Sequence, residues 1–269
     1  MTPTIISGLI SDTNITHRSI EQYIEYGKKL INIPINKIIF IEKKIYDKFL
    51  SESPEVPESP ESPEVPEVSE VSEVSEVPEV IFNEYTTFIF IKKKDIYLYE
   101  YYNQITDFEP MTNNPNKDTI DYMFIQCYKT EFMRIGSKLN PYNSSQFIWI
   151  DFGIYHMIGN DELLNQLVLN LNTSYDYNLI RIAGGIYFPP SEEDVYKKVC
   201  WCFLGSIFGG EKSKLVHFAD LMKQKCIDII TNKNTITWEV NIWYLIYKEF
   251  PELFSVYISN HNPTMIKDY

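Results

Sequence analysis

The residues best suited to chemistry lie in Phe147-Ile-Trp-Ile-Asp151-Phe-Gly153. An apolar run of this kind predicts a buried strand, and an acid directly after it stands at the strand's carboxyl end. In open α/β sheets ligands bind at that edge. A carboxylate there can hold a hard divalent cation, which neutralises a diphosphate. Gly153 lets the backbone turn tightly and come close to a ligand. The same spacing also suits an Asp that caps the following segment. The pattern by itself leaves both roles open for Asp151.

Four further places carry polar groups in informative settings. Ser7 and Gly8 interrupt the apolar run Thr4 to Ile10, and a mid-strand glycine weakens packing while admitting a ligand. Arg18, shortly after, has the planar fork that fits phosphate, or an acidic neighbour. Gly205-Ser-Ile-Phe-Gly-Gly210 follows an apolar stretch from Cys200, which predicts a strand and then a glycine turn at Gly209 and Gly210. Thr237-Trp-Glu239-Val-Asn241 sets an acid beside an aromatic ring. Rings of that kind stack on pyranoses, and a carboxylate can take a proton from a hydroxyl. A Glu at a helix start, favoured by the helix dipole, explains Glu239 equally well. His217-Phe-Ala-Asp220 has a spacing that could bind metal, but Lys212, Lys214 and Lys223 around it mark a solvated face. Fingerprints of P-loop nucleotide binding, of Rossmann dinucleotide binding and of a serine nucleophile elbow do not occur.

The elements that must position these groups alternate along the chain. Thr4 to Ile10 predicts a strand, Ser11 to Thr16 a polar loop, Ser19 to Leu30 a helix ended by Pro34, and Lys37 to Ile41 a second strand. A strand–helix–strand opening points to a parallel sheet of nucleotide-binding type. Thr86 to Ile91 is a third strand, and Gln146 to Ile150 and Asn178 to Ala183 are two more. An amphipathic helix from about Asp118 to Leu139 carries Ile120, Phe124, Tyr128 and Phe132 every four residues, with Lys129 and Arg134 elsewhere on its surface. Lys212 to Ile230 and Thr237 to Phe250 are helical. The expected fold is α/β: a mixed, mostly parallel central sheet flanked by helices. The expected organisation is one domain over residues 1–269, interrupted by a disordered insert at 51–80.

That insert is a three-residue repeat of Ser-Pro-Glu, Val-Pro-Glu and Val-Ser-Glu with Glu from 52 to 79 at every third position. A period of three fits neither a helix face nor a strand face. Proline and like-charge repulsion favour an extended, disordered segment, either an acidic tether or a repeat tolerated in a surface loop. Ten Glu and no Lys or Arg fall in 51–80, so most of the formal charge of −13 is there and the rest is close to neutral. No basic footprint for nucleic acid exists. Apolar residues make up 44% of the 269, enough for a sizeable core, yet no run is long enough for a membrane span. With no leader-like start, the expected location is the cytoplasm in which the chain is made. Cys127, Cys200, Cys202 and Cys226 are too few for a disulfide framework and are expected as buried thiols. Abundant Ile, Asn, Lys and Tyr, whose codons are AT-rich, suggest the genome of a large DNA virus, whose protein would sit in host cytoplasm, or of a low-GC bacterium.

Phe147-Ile-Trp-Ile-Asp-Phe-Gly-Ile154, preceded by the helix that holds Lys129, resembles the bacterial HtrL/YibB (WlaTC-type) family. Arg18 and Tyr23 resemble its early Arg-x-x-x-x-Tyr stretch, Phe208-Gly-Gly210 its late Gly-Gly segment, and Pro251-Glu-Leu-Phe254 its final Pro-x-Leu-Phe. The resemblance spans most of the chain outside the insert and implies a glycosyltransferase of the GT-A fold. It implies a nucleoside diphosphate sugar as donor, a glycan or small hydroxyl compound as acceptor, and Mn²⁺ or Mg²⁺. Asp151 then stands where GT-A enzymes carry Asp-x-Asp, although Trp149 and Gly153 leave a single acid here. His261 is the second metal ligand by position. Ser7, Gly8, Arg18 and Lys129 fall to the nucleotide, Gly209 and Gly210 to the donor sugar, and Glu239 to the acceptor hydroxyl. A non-catalytic sugar- or nucleotide-binding protein on the same fold is the alternative, and a scaffold working through its acidic tract is a third.

Overall fold

The computed structural model describes residues 3–11, 18–51, 80–82, 84–112, 114, 117–172, 178–185, 191 and 193–269. Most of the loop expected at Ser11 to Thr16, and residues 52–79 of the acidic repeat, lie outside the described residues.

The chain opens with β1 (Thr4–Leu9), α1 (Ile20–Ile31), β2 (Lys37–Ile41) and α2 (Lys43–Ser51). Ser19 caps α1 in a reciprocal box with Gln22, so the helix expected from Ser19 begins one residue later, at Ile20. Then come β3 (Val80–Phe82), β4 (Thr86–Phe90), α3 (Ile120–Cys127), α4 (Lys129–Leu139) and β5 (Gln146–Ile150). The second half contains α5 (Tyr155–Ile158), α6 (Asp161–Asn172), β6 (Ile180–Gly184), β7 (Phe203–Glu211), α7 (Lys212–Lys233), α8 (Glu239–Glu249), β8 (Phe254–Ile258) and α9 (Thr264–Lys267).

The strands form one sheet in the order β3-β4-β2-β1-β5-β7-β6-β8. β4, β2, β1 and β5 are parallel neighbours; β7 is antiparallel to β5 and to β6, and β8 runs parallel to β6. The mixed, mostly parallel sheet is therefore present. Side-chain alternation gives it two apolar faces. Ile6, Phe40, Phe147, Trp149 and Phe208 pack with α3, α4, α7 and α8 on one side. Ile5, Ile39, Ile148, Ile150 and Ile207 pack with α1, α2, α5, α6 and α9 on the other.

Two expectations change. The helix predicted from Asp118 to Leu139 divides at Tyr128, whose N–H is shared between the carbonyls of Phe124 and Ile125. Lys129 is the first residue of α4 and faces inward, 5% exposed rather than on the surface. The predicted turn at Gly209-Gly210 is instead paired strand near the end of β7, where Gly209 pairs with Ile148 and Gly210 with Phe147. A Cβ at Gly209 would lie 2.5 Å from the Phe147 carbonyl oxygen, so these glycines serve close strand contact. All four cysteines are free and buried, as expected.

Candidate functional site

The strand ends converge on one pocket at the carboxyl edge of the sheet. Gly8, Leu9 and Ile10 come from the end of β1, and Asp151, Phe152 and Gly153 follow β5. Because β7 runs against β5, its first half, Gly205 and Ser206, reaches the same edge, and the Asp151 N–H donates to the Ser206 carbonyl at 3.0 Å. The starts of α4 and α8 bring Lys129 and Glu239, and the turn after β8 brings His261.

Lys129 is the centre of the arrangement. Its ammonium donates to the Gly205 carbonyl at 3.1 Å and to Glu239 Oε1 at 3.2 Å, and pairs with Asp151 Oδ1 at 3.1 Å. An ammonium has three N–H donors, so these acceptors use all of them. Burial depresses the Lys129 amine, but Asp151 and Glu239 outweigh it and hold the group above its ordinary range, fully charged. The Trp149 indole N–H donates to the same Asp151 Oδ1 at 2.8 Å, which fixes the carboxylate from the strand side. Oδ2 of Asp151 and Oε2 of Glu239 have no hydrogen-bond partner among the described residues. Glu239 Oε2 is buried as well. Gly205 is a residue of necessity: a Cβ there would sit 2.5 Å from Glu239 Oε1.

Two more cations line the pocket. The Arg18 guanidinium lies 5.9 Å from the Tyr23 ring centroid. Lys117 is lowered by burial, with Arg18 adding to the effect and Asp151 and Glu239 opposing it. With Lys129 they make three cations against two carboxylates, a balance that favours an added anion. Burial also lowers His156, whose Nδ1 lies 2.5 Å from the Gly153 carbonyl, and His261, so both rings are neutral near pH 7. On the Glu239 side the wall is aromatic: Trp238 meets Trp201 edge-on at 5.9 Å and Tyr122 at 5.5 Å.

Of the residues singled out in the sequence, the pocket gathers Gly8, Arg18, Lys129, Asp151, Glu239 and His261, which are far apart in the chain. Ser7, Gly209 and Gly210 do not line it. The Ser7 side chain is fully buried beneath the sheet surface, and Gly209 and Gly210 pair at the amino-terminal end of β5, away from Asp151. Lys117, Tyr122, His156 and Trp201 were not anticipated. Lys117 sits in a polar run without periodicity, and Trp201 stands between two cysteines that drew attention away from it. His217 and Asp220 are exposed on α7, as their lysine-rich setting indicated.

Fold and pocket together define a mixed α/β protein with a charged pocket at the carboxyl ends of its parallel strands. Residues 4–262 match the family described as "Bacterial protein of unknown function (HtrL_YibB)", and the chain belongs to that family. No curated protein sequence matches the chain. Among solved structures it is similar to the apo form of mouse xyloside xylosyltransferase 1, with 10% identity and a TM-score of 0.44, covering 95% of this chain and 84% of that one. It is also similar to 4-diphosphocytidyl-2C-methyl-D-erythritol synthase from Anaerococcus prevotii, with 9% identity and a TM-score of 0.40, covering 100% and 95%. Superpositions this loose carry no argument about chemistry.

Proposed function

We propose that the protein is a glycosyltransferase that moves a sugar from a nucleoside diphosphate sugar to a hydroxyl acceptor in this pocket. The observation that carries the reading is the pair of carboxylates held on one buried ammonium, with Arg18 and Lys117 standing free of that trio. Lys129 has no donor left for a phosphate, so its part is to position Asp151 and Glu239. The negative charge that develops on the departing diphosphate falls to Arg18 and Lys117. Preorganised charges of this kind are the largest contribution to such rates. The Glu239 carboxylate, which lines the pocket, accepts the acceptor's hydroxyl proton. The acceptor oxygen then bonds to the anomeric carbon as the bond from that carbon to the diphosphate breaks, and the electron pair leaves on the diphosphate oxygen.

The residues present fit a divalent cation. Asp151 keeps Oδ2 open, and His261 is neutral, the form that ligates. No group of three or more His, Cys, Asp or Glu is placed to hold a metal among the described residues, so phosphates and water would complete the shell. When bound, such an ion would neutralise the diphosphate.

A thermal-shift screen of UDP-, GDP- and CMP-sugars, each with and without Mn²⁺, tests the reading. A metal-dependent rise with one donor class supports it; no rise with any of them sinks it. The second reading, sugar-nucleotide binding without turnover, is favoured by the internal pairing of Asp151 with Lys129 and Trp149. Donor binding with no release of nucleoside diphosphate would select it.

A further inference from the structure

The glycosyl-transfer reading leaves open what accepts the sugar, and the aromatic wall bears on that. Trp201 is 41% exposed although it lines a polar pocket. An indole held open to solvent forgoes the burial that usually orders such a ring, so the open face calls for a ligand. Its neighbours are fixed. Trp238 is buried, and its indole N–H donates to Asp118 Oδ1 at 3.2 Å, while Asp118 Oδ2 accepts from the Thr112 N–H at 2.7 Å. His261 lies 5.6 Å from the Trp201 ring. Trp238 is followed directly by Glu239, which lines the same pocket as Trp201.

A ligand suited to this place has a flat apolar face for Trp201 and a polar edge for Glu239. A pyranose has both: axial C–H groups on one face and hydroxyls around its rim. A nucleobase could also stack, with Lys117, whose charge acts on His261, close enough to meet its phosphates, so free uridine is the competing ligand in the test. Resting on the transfer reading, we propose that Trp201 and Trp238 form the acceptor subsite, and that it takes a pyranose whose hydroxyl reaches the Glu239 carboxylate. The acceptor is thus a saccharide.

Saturation-transfer NMR on the full chain tests this with methyl pyranosides (glucoside, galactoside, xyloside and N-acetylglucosaminide) and with free uridine. Trp201→Ala and Trp201→Phe are compared with wild type, and melting shifts with sugar nucleotides are recorded for all three. The expected result is saturation of the ring C–H protons of at least one pyranoside. Trp201→Ala should weaken it about tenfold, Trp201→Phe should retain most of it, and the sugar-nucleotide shifts should not change. If wild type binds a sugar nucleotide but no pyranoside, the subsite is refuted while glycosyl transfer stands. If Trp201→Ala weakens uridine and sugar-nucleotide binding instead, the wall holds the base and the inference is overturned. If neither class binds wild type, both this inference and the transfer reading fall.

Discussion

Replacing Lys129 by Met keeps most of the side-chain volume and removes the charge, which isolates the role assigned to the ammonium. In the wild type it joins Asp151, Glu239 and the Gly205 carbonyl. Removing one partner from a buried ionic group leaves uncompensated charge and costs about 3–5 kcal/mol. The Asp151 side chain is 30% exposed and can be rehydrated, whereas Glu239 is 4% exposed and cannot, so a loss of about 3 kcal/mol is expected. Urea unfolding at pH 7 reads it, with an unchanged denaturant slope showing that the folded and unfolded states keep their extents. Adding Glu239→Gln to Lys129→Met should recover part of it. A loss under about 1 kcal/mol at pH 7 would refute the view that Lys129 organises the two acids.

Gly205→Ala puts a methyl group 2.5 Å from Glu239 Oε1 and should cost about 1–3 kcal/mol in a melt, with a larger loss of turnover than Ser206→Ala. Asp151→Ala should abolish the metal-dependent part of the donor-induced melting shift while the variant still unfolds cooperatively; loss of the fold would make Asp151 a cap. Burial lowers His156 and His261 below their unfolded value of about 6.5. The unfolded chain therefore binds protons first, so stability should fall as pH drops below about 6.5, and His261→Gln should flatten that slope in pH-dependent melts. Asp118→Asn weakens the acceptor for the Trp238 indole N–H and should raise the KM for acceptor more than it lowers kcat.

Periodicity carried much of the architecture. β2 and β5 fall where the β-branched runs Lys37 to Ile41 and Gln146 to Ile150 place them, because a strand buried on both faces is apolar throughout. Ser19 and Pro34 bracket α1 through a cap and a break that act locally. Asp151 was legible for the same reason: an acid after an apolar strand has one place to go in such a sheet. β8 was not, since Phe254–Ile258 is a half-exposed edge strand whose partner, β6, lies some seventy residues earlier in the chain.

Long-range order decided the rest. Sequence spacing offered Gly209 and Gly210 as a ligand turn, but the second half of β7 pairs antiparallel with β5, so Gly205 and Ser206 before it reach the carboxyl edge instead. Lys129 shares a pocket-facing stripe with Tyr122, Ile125 and Gln126, and the fold makes it the partner of two acids 22 and 110 residues away. Lys117 and Trp201 had no local signature, because what makes them notable is the company they keep across the pocket. The sequence by itself determined the interior strands β1, β2, β4 and β5 and where one acid must stand, since these follow from local burial. Only the tertiary structure decided which charges meet, because pairing depends on strand order and direction, and those are set by contacts between residues distant in the chain.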